Sequence, residues 1–164
     1  MSAIVLVGMP GAGKSTIGVL LAKQLARNFI DTDLLIQLET DKTLQQIVDE
    51  KGYKKLREIE EQVILKWDFS DSVVATGGSA VYGQGSMAKL KEVGRIIYLS
   101  CKLKELRARI GNYERRGIAA PPEQSFLEIA EERETLYRQY ADIEVITDGL
   151  IPAQVVESLL RKLS

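Results

Sequence analysis

The run Gly8-Met9-Pro10-Gly11-Ala12-Gly13-Lys14-Ser15-Thr16 combines small residues, a lysine and two hydroxyls in the spacing G-x-x-x-x-G-K-[ST]. It follows the apolar run Ala3-Ile4-Val5-Leu6-Val7 and precedes a helical pattern from Ile17, the context in which such a loop cradles phosphates. Small residues let the backbone N–H groups of Gly11, Ala12 and Gly13 turn inward around phosphate oxygens, and the helix that starts near Lys14 adds its positive end. Lys14 then reaches the terminal phosphates, Ser15 offers a hydroxyl to Mg2+, and Thr16 completes the motif. The loop predicts a nucleoside triphosphate ligand.

Four further positions have the right chemistry, and each has a plainer reading. Asp31-Thr32-Asp33 closes a short apolar run. One carboxylate there could serve Mg2+ and the other a substrate hydroxyl, or the triplet could cap the helix over 34–38. Thr76-Gly77-Gly78-Ser79 closes the next apolar run, at a strand end where ligand sites fall or as a plain turn. Arg57 and Glu60 stand three apart, which suits an ordinary pair on a helix surface. Arg133, in Glu131-Glu132-Arg133-Glu134, has the pattern of a solvated partner on an acidic helix.

The elements that must position these groups are legible from periodicity. Apolar, β-branched runs recur at 3–7, 29–31, 72–75, 95–99 and 143–146, separated by helical stretches such as 17–27, 56–67 and 125–140. That alternation predicts a three-layer α/β/α fold around a five-stranded parallel sheet, with ligands at the carboxyl ends of the strands. The motifs above fall just after strands. Residues 111–123, with Arg115-Arg116-Gly117 and Pro121-Pro122, fit neither pattern and suit a mobile lid or an inert connector.

Composition narrows the chemistry. With 164 residues, 45% hydrophobic and 27% charged, the chain is expected to form one domain over 1–164. A net charge of -1 without a basic tract argues against a nucleic-acid partner. No apolar run approaches the ~20 residues of a membrane helix, and the N-terminus shows no secretory pattern, so a cytoplasmic protein without membrane contact is expected. Zero histidines exclude a histidine base, and the single cysteine, Cys101, excludes an internal disulfide.

These motifs, in this order, resemble the shikimate kinases, small P-loop enzymes similar to nucleoside-monophosphate kinases, nearly end to end. The resemblance rests on the loop at 8–16, Phe29-Ile30-Asp31-Thr32-Asp33, Leu56-Arg57-Glu58-Ile59-Glu60 where the family has F-R-x-x-E, Ala75-Thr76-Gly77-Gly78 at its G-G-G turn, and Arg133-Glu134-Thr135-Leu136-Tyr137. It implies ATP and Mg2+, with Asp31 joining Ser15 at the metal, Asp33 bonding the reacting hydroxyls, and Arg57 and Arg133 holding a substrate carboxylate. It further implies that Gly77, Gly78 and Ser79 line the substrate. Arg116 stands where relatives contact phosphate, and Arg109 where they pack on adenine. The implied reaction is transfer of the ATP γ-phosphoryl group to a hydroxyl of shikimate, in aromatic amino-acid biosynthesis, with Lys14, Asp33 and Arg116 as catalytic groups. The family also implies a monomer with a closing lid.

The chain departs from the family pattern at identifiable places. Ser79 replaces the third glycine of the turn, and Arg116-Gly117-Ile118-Ala119 replaces a common R-P-L-L, exchanging a stiff proline for a glycine. Leu56 and Val48 stand where phenylalanines line the pocket, and Gly149-Leu150-Ile151 lacks a basic residue near the adenine. Ser79 and the altered lid leave room for a kinase of another small hydroxy acid, and a nucleotide-dependent regulatory protein is the reading of a different class.

Overall fold

The apolar runs form five strands, β1 (Ala3–Val7), β2 (Asn28–Asp31), β3 (Ser72–Ala75), β4 (Gly94–Ser100) and β5 (Ile143–Ile146). The computed structural model describes residues 2–111 and 117–164. All strand pairs are parallel and the order across the sheet is β2-β3-β1-β4-β5. β1 lies at the centre, where Val5 faces Val74 on one side and Ile96 on the other, and no residue of β1 is more than 5% exposed. A strand covered on both faces needs this continuous aliphatic run.

Parallel neighbours require crossovers, and helices supply them. Helix α1 (Lys14–Leu25) joins β1 to β2, and α2 (Thr32–Thr40), α3 (Leu44–Lys51) and α4 (Tyr53–Lys66) lead from β2 to β3. A 3-10 turn (Ala80–Tyr82) and α5 (Gln84–Val93) lead to β4, α6 (Leu103–Ile110) and α7 (Phe126–Tyr140) lead to β5, and α8 (Pro152–Leu163) follows it. The result is a three-layer α/β architecture. None of the described helices is long and apolar enough to cross a membrane.

Local chemistry fixes the helix starts that matter for the site. The Asp31 side chain accepts from the N–H groups of Asp33 and Leu34, so β2 stops at Asp31 and α2 begins at the next residue. Thr43 with Gln46, and Ser125 with Glu128, form reciprocal capping boxes at α3 and α7. α1 starts at Lys14 rather than Ile17, so the end of the phosphate loop is itself the first helical turn.

Candidate active site

The phosphate loop joins β1 to α1, and Gly13 caps the helix. Lys14 folds back along this loop, donating from Nζ to the carbonyl oxygens of Gly8 at 2.6 Å and Met9 at 2.9 Å. Burial lowers its pKa to about 8, against the opposing pull of Asp33. The loop therefore holds a partly desolvated cation beside the open N-terminus of α1, where a phosphate would sit.

Beside it, at the end of β2, Asp31 does cap the helix, and the cap leaves its second oxygen toward the phosphate loop. Oδ1 of Asp31 caps α2 while Oδ2 accepts from the Ser15 hydroxyl at 2.7 Å. Asp33 lies one helical step on. Burial raises its pKa to about 6, and the Asp31 charge pushes the same way while Lys14 pulls it down. Since α2 begins at Thr32, the strict alternation of a strand is lost and both carboxylates lie near the loop.

A second wall comes from α4, the turn after β3, α7 and residues 117–119. Gly77 donates its N–H to the Thr32 hydroxyl at 3.0 Å, and the Tyr137 hydroxyl donates to the Gly78 carbonyl at 2.5 Å. A side chain on Gly77 would run into Oε2 of Glu60 and Oδ1 of Asp33, so the two carboxylates converge on the same bare Cα. Ser79 donates to Oε1 of Glu60 at 2.6 Å and is 8% exposed. Glu60 is buried, and desolvation with the Asp33 charge lifts its pKa to about 7, against the Ser79 hydrogen bond, Arg133 and Lys14.

Arg57 and Arg133 converge on one atom. Nε of Arg57 and Nη2 of Arg133 each donate to the Ala119 carbonyl at 3.0 Å. Tyr82 stacks on Arg57 at 3.7 Å from guanidinium carbon to ring centre. Arg133 is 1% exposed, and its Nε finds no partner among the described residues. The plainer readings of both arginines therefore fail. Arg57 does not pair with Glu60, and Arg133 is not solvated, because the acidic pattern of α7 belongs to its outer face.

One cavity of about 640 Å³ connects these groups. Gly11, Ala12, Gly13, Lys14, Ser15 and Thr16 line it, as do Asp33, Gly77, Gly78, Ser79, Arg109 and Arg133. Asp31 and Arg57 are absent from the lining, and each bonds a residue that belongs to it, Ser15 and Ala119 respectively. Arg109 stretches over the loop toward the carbonyls of Gly11 and Ala12, both at 3.4 Å, and pairs with Glu105. Arg116 lies outside the described residues, as does most of the first half of the expected lid at 111–123.

Several contributors were not legible beforehand. The spacing of Arg57 and Glu60 points only to a surface pair, and a carbonyl such as that of Ala119 carries no sequence signal. Leu150, Ile151 and Pro152 add an apolar part to the cavity lining. The wall residue from α3 is Leu44 rather than Val48, which is half-buried elsewhere.

Comparison with known proteins agrees with this geometry. A family model described as shikimate kinase matches residues 10–164. The shikimate kinase of Pseudomonas entomophila is 39% identical, covering 99% of this chain and 96% of its own. That of Rhodococcus jostii is 37% identical, covering 98% and 96%. The shikimate kinase of Acinetobacter baumannii, solved in complex with shikimate, superposes with a TM-score of 0.89 at 28% identity, covering 99% of this chain and 93% of that one.

Proposed function

Since the chain belongs to the shikimate kinase family and is thus an ATP-dependent kinase acting on shikimate, we propose that the phosphate loop and the wall opposite it are its two substrate sites. The observation that carries this assignment is the shared cavity, whose lining holds Lys14 and Ser15 of the loop together with Asp33 and the buried Arg133. On this reading ATP lies on residues 11–16, its base toward Arg109 and the apolar wall of Leu150 and Ile151. The acceptor lies on Gly77, Gly78 and Ser79, its carboxylate toward Arg133 and Arg57. Guanidinium forks match a planar carboxylate, and Arg133 lines the cavity beside Gly77, Gly78 and Ser79.

Transfer of this kind depends on positioning and on positive charge around the phosphates. Lys14 supplies that charge, and Arg116 joins it in this proposal. The Ser15 hydroxyl and the Asp31 carboxylate present two hard oxygens 2.7 Å apart, the donor chemistry that suits Mg2+, and these residues would hold it. When bound, the ion neutralises charge that develops on the phosphate oxygens. Asp33 orients the acceptor hydroxyl and takes its proton late, which a carboxylate with a pKa of about 6 does without being a strong base. The same reading makes residues 1–164 one domain that acts as a cytoplasmic monomer.

The test is ADP release with ATP and Mg2+, comparing shikimate, quinate, gluconate and no acceptor. Release is expected with shikimate alone, and Asp33→Asn is expected to lower kcat by about 100-fold or more. Release that ignores the acceptor, or that persists in the variant, would refute the assignment of Asp33 and its pocket.

A further inference from the structure

Residues 117–119 are a part of the acceptor wall that lies outside every strand and helix, and they are fixed at two points. One is the Ala119 carbonyl, shared by Arg57 and Arg133. The other is the Gly117 N–H, which donates to Oε1 of Gln45 at 2.9 Å. Gln45 lies in the first turn of α3, and its own orientation is set by a bond from Nε2 to Oδ1 of Asp49 at 2.8 Å. Gly117 has φ +62°, and a Cβ there would lie 2.5 Å from that of Leu44 and 2.7 Å from the Gln45 nitrogen. The backbone is thus seated directly on the start of α3. Where the family pattern has proline, neither this φ nor this N–H would be available.

We propose that Gln45 is a positioning residue for the acceptor site, pinning Gly117 to α3 so that the Ala119 carbonyl stays between the two arginines. The proposal rests on the acceptor reading given above. Without this bond, Gly117 is the most adaptable residue in the wall and its N–H is left without a protein partner. Residues 118 and 119 then move with it. The carbonyl that spaces Arg57 from Arg133 moves too, and the two guanidinium groups lose the arrangement in which both face one acceptor carboxylate. Gln45 itself is not in the cavity lining, so it acts only through residues that are.

Steady-state kinetics on Gln45→Ala and Gln45→Glu test this, with KM measured separately for each substrate. Loss of one neutral hydrogen bond predicts a KM for shikimate raised about 5-fold in Q45A, with kcat and the KM for ATP within about twofold of wild type. Q45E keeps an acceptor oxygen at the same reach but loses the donor held by Asp49 and sets two carboxylates four residues apart. It is therefore combined with Asp49→Asn, whose amide restores a donor between the two side chains, and the double variant is expected to recover most of the lost affinity. Calorimetric binding of shikimate gives the same comparison if turnover fails. Wild-type affinity in Q45A, an equal loss in Q45A and the Q45E/D49N double variant, or a uniform loss in all parameters together with a lowered Tm would each overturn the positioning role. Wild-type protein that turns over no shikimate would overturn the acceptor reading, and this role with it.

Discussion

Glu60 sits 3% exposed between Asp33 on one side and Arg133 and Lys14 on the other, so at this residue burial outweighs attraction. Its pKa rises from 4.5 to about 7. A carboxyl raised in this way contributes stability that is complete below its unfolded pKa and is lost as pH rises through the folded one. The apoprotein is therefore expected to lose stability between about pH 5 and pH 8. Glu60→Gln mimics the protonated acid and should match wild type near pH 5 yet melt higher at pH 8, with each ~1 kcal/mol appearing as ~2–4 °C. Melting curves at the two pH values check this, and an equal gap at both would refute it. The spacing of Arg57 and Glu60 could not reveal the burial. Period 3.6 says that two residues share a face, while the neighbours of that face come from residues far along the chain.

At the scale of elements, the site is assembled from ends. The start of α1, the start of α2, the turn after β3 and the seat of Gly117 on α3 each contribute backbone as well as side chains. Such contacts tolerate little change of shape. A non-glycine residue held left-handed costs roughly 1–3 kcal/mol, and at Gly117 a Cβ would also press on Leu44 and Gln45. Gly117→Ala is expected to lower kcat/KM for shikimate about 10-fold or more while ATP affinity is retained, a split that initial-rate measurements resolve. Unchanged kcat/KM would show that the wall adapts. The strands and the long helices α1, α4 and α7 were legible because their hydrophobic periods are long. α3 was not, since its 8 residues span little more than two turns and its start is marked mainly by Thr43 and Gln46.

Across the whole molecule, one cavity at the carboxyl ends of the strands takes in both the phosphate loop and the proposed acceptor wall. Ligands that bind the folded state alone stabilise it by mass action, by ~2.7 kcal/mol at 100 times Kd. ADP with Mg2+ at that excess should raise Tm by roughly 5–10 °C in a chain of this size. Removing the metal with EDTA should abolish most of that shift, since Ser15 and Asp31 would lose the ion that ties the phosphates to them. A shift that is indifferent to EDTA would place the nucleotide on the loop without metal help. Thermal shift measurements with and without chelator separate the two.

The sequence alone determined the phosphate loop, the parallel α/β architecture and the order of the motifs along the chain. Each of these is written in local pattern, either a fixed spacing such as that of residues 8–16 or a repeated hydrophobic period. Only the tertiary structure decided that Glu60 is buried beside Asp33, that Arg57 and Arg133 meet at the Ala119 carbonyl, and that Gln45 receives the Gly117 N–H. These contacts join residues 14 to 72 positions apart. Burial, pKa and hydrogen-bond partners are properties of such meetings, and they come into being only when the sheet has brought its strand ends together.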